Sequence, residues 1–186
     1  MDPLDWTQLN AEYLFRDEWL TARKDRCRTP QGKIVDPYYV LEYADWVNAL
    51  ALTREGQVVM VRQYRHGLRR TINELPGGCI DPVDVDPEAA IRRELLEETG
   101  YGFDQVERVC QISPNPSTQS NICLGFLATG GIKIGNQHLD PNEEIAVFLV
   151  TVNELIRMLQ ENELWQAMHV TTCYYALKKL GKLSLT

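Results

Sequence analysis

The sequence predicts an α+β fold built on a mixed β-sheet, and three observations carry that prediction. Apolar, β-branched runs bounded by turn residues recur through the first part of the chain. A capped helical segment follows at 87–99, and after a last strand-like run the tail from Asn153 is helical. Strands followed by helices at several points suit a mixed sheet better than a doubly wound parallel one. No repeat, low-complexity tract or linker-like stretch divides the chain. Residues 1–186 are therefore expected to form a single domain, with N-terminal strands in 1–45 and a core in 46–186.

Residues 1–18 read as a short helical or irregular lead-in. "WLTARKDRCRT" and "KIVDPYYVLEY" read as strands around a "PQG" turn. "WVNALALT" and the β-branched "QVVMVRQYR" flank "REG" and make a second hairpin. "ELPGG" reads as a strand running into a tight Gly-Gly loop. Asp86 before Pro87 is an N-cap and first-turn signal, and Gly100 stands where a helix C′ residue belongs. "VERVCQIS" and "NICLGFLAT" read as strands joined by "PNPSTQS", and "EIAVFLVTV" as one more. "NELIRMLQENEL" and "QAMHVTTCYYALKKL" complete the chain as helices.

Composition narrows the function classes. With 186 residues, 44% apolar and 24% charged, the chain can bury one substantial core. Its net charge of −7 argues against generic binding to nucleic acid or to an anionic membrane. The five cysteines are scattered without a C-x-x-C pair, the start lacks a signal-peptide pattern, and no apolar run has the length of a membrane span. A cytoplasmic protein with reduced thiols is expected. His66, His138 and His169 lack metal-ligand spacing and read as structural or exposed. No Walker A loop, G-x-S-x-G elbow or H-E-x-x-H is present.

The helix at 87–99 raises the central question. Glu94, Glu97 and Glu98 fall within a roughly 100° arc. The 94/98 like-charge pair costs a few tenths of a kcal/mol, about 0.2–0.5, on an open helix. On a partly buried face the repulsion grows to the order of several kcal/mol. A hard divalent cation reverses that sign, because Mg²⁺ takes oxygen ligands and shares them with substrate phosphates. A solvated acidic face is the plainer alternative.

The surrounding stretch, "ELPGGCIDPVDVDPEAAIRRELLEETGY", resembles the Nudix box, G-x5-E-x7-R-E-U-x-E-E-x-G-U. Arg93, Glu94, Leu95, Glu97, Glu98, Gly100 and Tyr101 match its second half without a gap. The first half departs. With Gly78 as the opening glycine, Asp84 stands for the first glutamate and the spacer is one residue too long. With spacing kept, Cys79 and Val85 occupy those places. The first reading leaves the metal-binding half untouched. "VRQYRHG" followed by "ELPGG", with Pro114 or Pro116 beyond the box, is similar to the ADP-ribose pyrophosphatase branch.

The resemblance implies an α/β/α sandwich, N-terminal antiparallel hairpin strands exchanged in a homodimer, and hydrolysis of a nucleoside diphosphate sugar. ADP-ribose, giving AMP and ribose 5-phosphate, is the leading substrate. GDP-mannose or a non-hydrolysing nucleotide sensor are the alternatives. Glu94 and Glu98 are implied as direct Mg²⁺ ligands, helped by Glu97 and the carbonyl of Gly77, with Mn²⁺ an acceptable substitute. Arg93 is expected to orient the glutamates. In "LDPNEEIAV" the resemblance implies a catalytic glutamate, Glu143 first and Glu144 second. Arg62 and Arg65 suit the diphosphate, and since they alternate along a strand, Arg65 ranks above Arg62. Either equally suits a structural ion pair. Glu74 suits a hydrogen bond to ribose or adenine, or a structural role. Trp19, Tyr39, Trp46 and Tyr64 are candidate stacking partners for adenine, and each equally suits the core.

Overall fold

The computed structural model describes residues 2–17 and 19–183. The chain divides into two compact units, residues 1–44 with 113–122, and residues 45–112 with 123–186.

The first unit is a three-stranded antiparallel sheet, β1 (Thr7–Arg16), β2 (Thr21–Arg28) and β3 (Ile34–Glu42), in that order. The expected β2–β3 hairpin turns at Thr29–Lys33, where Thr29 N–H donates to Lys33 O at 2.9 Å. The expected lead-in is corrected: residues 7–16 form a strand paired along its length with β2. Its signal lies in the alternation Leu9, Ala11, Tyr13, Phe15, which the helix-favouring residues between them disguise. Every residue of β1 is exposed. The proline-rich stretch 113–122 joins this unit through its backbone. Leu41 N–H donates to Thr118 O (2.7 Å), Ser120 N–H to Leu41 O (3.1 Å), and the Tyr38 hydroxyl to Ser117 O (2.6 Å).

The second unit is built on a mixed sheet. Its strands are β4 (Trp46–Thr53), β5 (Gln57–Arg65), β6 (Arg70–Glu74), β7 (Gly77–Cys79), β8 (Tyr101–Gly102), β9 (Gln105–Ile112), β10 (Cys123–Lys133) and β11 (Ile145–Thr151). The sheet runs β11-β5-β4-β10-β8, with β6 on β5, β7 on β4 and β9 on β10. The β4–β10 pair is parallel and the others antiparallel. Three helices cover it, α1 (Pro87–Thr99), α2 (Val152–Gln160) and α3 (Ala167–Lys179).

Strand alternation shows the sandwich. Leu50, Val58 and Met60 pack with Leu155, Met158, Cys173, Ala176 and Leu177 from α2 and α3. Val47, Ala49, Ala51, Val59 and Val61, equally buried, face the other way, the side that α1 covers with Ala90, Ile91 and Leu95. The expected Gly-Gly loop is corrected to the short strand β7, whose ladder with β4 pairs Asn48 with Gly77 and Trp46 with Cys79.

The ends of α1 fix the site that follows. Asp86 caps the first turn, its carboxylate accepting from Ala89 N–H at 2.8 Å. At the other end Gly100 adopts φ 75°, and its N–H returns to Leu96 O at 2.8 Å. The carbonyls left over by the helix are met by residues 134–138. Ile134 and Gly135 N–H donate to Gly100 O, and His138 N–H to Glu97 O. A Cβ on Gly100 would stand 2.3 Å from Gly135 O. Gly100→Ala should therefore lose ~2 kcal/mol or more, from left-handed strain plus this clash. Urea unfolding checks it, and unchanged stability would show that the strap does not press on the helix end.

Candidate active site

Ile91 and Leu95 hold one side of α1 in the core, which turns Glu94 and Glu98 toward β7. The approach is close enough that a Cβ on Gly78 would stand 2.5 Å from Glu94 Oε1. Glu98, buried, accepts the Gly77 N–H at 2.8 Å. Burial pushes the Glu98 carboxyl up to about 8. The Gly77 N–H and Arg65 work against this, and the negative charges of Glu94 and Glu143 add to it. Burial likewise raises Glu94 to about 7 against the pull of Arg93, with Glu97 and Glu143 adding to the rise.

Arg93 organises the acids around it. Its Nε and Nη2 donate to the two oxygens of Asp84 at 3.1 and 2.9 Å, and Nη2 also reaches Cys79 O at 3.0 Å. Nη1 donates to Glu94 at 3.0 Å and to Glu97 at 2.9 Å. The Asp84 side chain is 5% exposed. Its hydrogen bonds from Arg93 hold it below the usual carboxylate range although burial opposes them. Val85 is 89% exposed and meets none of this. The geometry thus favours the box that opens at Gly78, with Asp84 in the acidic place and the extra residue absorbed before α1. Glu97 is half-exposed and shares the arginine.

Arg65 and Gln63, on one face of β5, both donate to Glu74. Arg65 contacts span 2.8–3.2 Å and the Gln63 contact is 3.0 Å. Glu74 is fully buried, so the geometry favours the structural role among the two open to it: it is the counter-ion that sets Arg65, which stays partly exposed. Arg62 points to the other face of β5, exposed, and among the described residues makes no ion pair. Glu143 and Glu144 are both exposed in the loop before β11. The charge of Glu143 is felt by both Glu94 and Glu98, which places it on their side.

Of the two places the sequence allows His169, structural or exposed, it takes the structural one. It is buried on α3, and its Nδ1 accepts the Leu75 N–H at 3.2 Å. Burial pushes it down to about 3, with Arg65 adding, so it stays neutral. The ELPGG segment is thereby fastened from three directions: Arg65 and Gln63 on Glu74, His169 on Leu75, and Glu98 on Gly77. No sequence spacing announces the His169 contact.

The donors fit a hard divalent ion. Two desolvated carboxylates offer oxygen ligands, and only Glu94 has a cation against it. Among the described residues no three Asp, Glu, His or Cys side chains converge closely enough to close a metal site alone.

The NUDIX domain family matches residues 43–171, more than half of the chain. The chain belongs to the Nudix family. The nucleoside diphosphate sugar hydrolase N-terminal domain matches residues 6–41, the strands of the first unit. At 28% identity over 168 residues, this Nudix chain is similar to the ADP-ribose pyrophosphatase of Bacillus subtilis (strain 168), with 90% of each chain covered. At 27% over 168 residues, again 90% of each, it is similar to the methanol dehydrogenase activator of Bacillus methanolicus. A crystal structure of an ADP compounds hydrolase shares the fold, with a TM-score of 0.81, 20% identity, and 96% of this chain and 97% of that one covered.

The two glutamates and the histidine give opposite pH dependences. Glu94 and Glu98 bind protons in the folded state above their ordinary 4.5, so their contribution to stability is lost as pH rises through about 7 to 8. His169 binds fewer protons folded than unfolded between about 3 and 6.5, so its contribution improves with pH up to 6.5. Between about pH 6.5 and 8 the carboxylates dominate; above that the buried thiols of Cys123 and Cys173, which burial pushes up to about 12, lower stability in the same direction. In chelator, Tm should fall from about pH 6.5 to about pH 9, and Mg²⁺ should raise it more at the upper end. Differential scanning fluorimetry reads both. A flat chelator profile would mean that the carboxylates are not desolvated.

Proposed function

We propose that this Nudix protein hydrolyses the pyrophosphate bond of an ADP-sugar, ADP-ribose foremost, to AMP and ribose 5-phosphate, with Mg²⁺ or in its place Mn²⁺. The observation that carries the reading is the desolvated pair Glu94 and Glu98, packed against the Gly77–Gly78 segment. The nearly full-length likeness to an ADP-ribose pyrophosphatase supports the substrate class.

Glu94 and Glu98 would hold the ion, with the Gly77 carbonyl and Glu97 as further oxygens. Bound there, Mg²⁺ offsets charge on the diphosphate oxygens and makes water a better nucleophile. Arg93 orients Glu94 and Glu97 while Asp84 fixes Arg93. Arg65, held by Glu74, presents its remaining N–H groups to diphosphate oxygens, with Arg62 the second candidate. Glu143 takes the proton of the attacking water, with Glu144 second. The new O–P bond forms as the bridging P–O bond breaks, and the departing phosphate carries the electron pair.

The strands of residues 1–45 are read as a dimerising arm on the catalytic core 46–186. In β1 both faces are exposed, Tyr13, Leu14 and Phe15 about half so, and Trp6 lies beside it equally bare. A second copy of the chain covers such a strand at little cost. All five cysteines are free, which supports a cytoplasmic setting. No helix among the described residues is long and apolar enough to cross a membrane.

With Mg²⁺, AMP should appear fastest from ADP-ribose in a panel including ADP-glucose, GDP-mannose and NADH. Faster GDP-mannose cleavage would move the assignment to another nucleoside diphosphate sugar, and calorimetric binding without turnover would favour a sensor. Glu98→Gln should cut kcat by roughly 10³-fold or more with the fold retained. Full activity in that variant would remove Glu98 from the metal site. Light scattering should return twice the 21.3 kDa chain mass. A monomer would leave β1 without its partner.

A further inference from the structure

Glu143 can serve as a base only if its loop is held against α1, yet residues 140–144 are all exposed and their own contacts are few. The loop closes on itself through Glu143 N–H to Asp140 O (2.9 Å) and Asp140 N–H to Glu143 Oε2 (3.3 Å). Something else must set its position relative to Glu94 and Glu98.

The Gln137 side chain bridges the two. Its Nε2 donates to Glu98 O at 2.7 Å and to Ile145 O at 3.0 Å. Glu98 O lies in the last turn of α1, on the very residue whose carboxylate meets Gly77. Ile145 opens β11, directly after Glu143 and Glu144. A carboxamide NH₂ has two donors, and here they reach the metal-side helix and the far end of the loop. We propose that Gln137 is a positioning residue for hydrolysis: it clamps the Glu143 loop onto α1, so that Glu143 stands in register with Glu94 and Glu98. The inference rests on the function proposed above and adds a residue to it.

Two features separate this from a role in folding. The neighbouring strap has contacts that do not need Gln137, from Ile134 and Gly135 N–H to Gly100 O just beyond α1 and from His138 N–H to Glu97 O. Gln137 itself is exposed, so its loss opens no core cavity. Both contacts of the Gln137 amide disappear, to Glu98 O and to Ile145 O, while His138 N–H on Glu97 O and the pairing of Ile145 with Gln63 still hold the ends of the segment; what is lost is the direct tie between α1 and the start of β11.

The test uses the full chain with Mg²⁺ and ADP-ribose. Gln137→Glu keeps the shape but turns donors into acceptors facing two carbonyls, and Gln137→Leu removes the donors outright. Both should lower kcat by about 10- to 100-fold, the scale expected when a catalytic group is misplaced by about 1 Å. KM should stay within about threefold, Mn²⁺ affinity by electron paramagnetic resonance within about twofold, and Tm within a few degrees. In a Glu143→Gln background, Gln137→Leu should cost less than about twofold further, because the two act as one unit. Unchanged kcat in both variants, losses that multiply in the double variant, weakened Mn²⁺ binding or failure to fold would each overturn the proposal. If Glu143→Gln alone kept full activity, the base assignment would fall and this inference with it. If Glu143→Gln lost activity but the Gln137 variants did not, only the clamp would fall.

Discussion

The site depends on one hydrogen bond between a side chain and the backbone, from Gly77 N–H to the buried carboxylate of Glu98. It joins α1 to β7 where the two approach most closely, an approach that the missing side chain of Gly78 permits. It also gives a charged group a reason to be buried. A carboxylate accepting a backbone N–H keeps part of what it loses by leaving water. Once that contact is made, Glu94 is drawn in one turn earlier against Gly78, and Arg93 is aligned to collect Asp84, Glu94 and Glu97.

The same solution recurs along the segment. Backbone N–H groups at 75 and 77 are satisfied by His169 and Glu98, and the Glu74 side chain by Arg65 and Gln63. Helix ends and strand starts on the other side are tied by the strap at 134–138 and the Gln137 carboxamide. Side chains from different elements thus reinforce backbone that the short ladders of β6 and β7 hold only in part. A site fixed in this way keeps its geometry through many small contacts, while its ligating atoms stay uncommitted on one side.

How much of this was legible depended on range. The capped helix, the two hairpins and the strands of the core are local patterns, and Asp86, Pro87 and Gly100 marked the ends of α1 directly. The strand β1 was misread because its alternation is interrupted by residues with helix propensity, and its pairing with β2 decided the matter. The Gly-Gly pair reads locally as a tight loop, because its partner strand β4 lies some thirty residues back and no local rule names it. The spacing of the glutamates and arginine was visible. Glu74 as the support of Arg65, Asp84 as the partner of Arg93, and the contacts of His169 and Gln137 all join residues from separate elements. Spacing alone cannot supply them.

Charge balance explains why the cluster is not merely an acidic surface. Asp84, Glu94 and Glu97 share one guanidinium, Arg93, while Glu98 and Glu143 make no ion pair with it and Arg65 is already matched by Glu74. Arg93 gives its best geometry to Asp84, which holds it in place, and its remaining N–H bonds to Glu94 and the half-exposed Glu97. Glu98 receives only a neutral N–H. The excess negative charge therefore accumulates on Glu98 and Glu94, the groups least able to share it with water. Such a pair has two ways to reach neutrality: it binds protons, which its raised proton affinity favours, or it binds a cation whose charge matches the excess. The second would leave both carboxylates ionised, and an ion such as Mg²⁺ takes phosphate oxygens beside one or two carboxylates. The repulsion that would penalise this helix on an open surface is thus what a divalent ion at the proposed site would relieve.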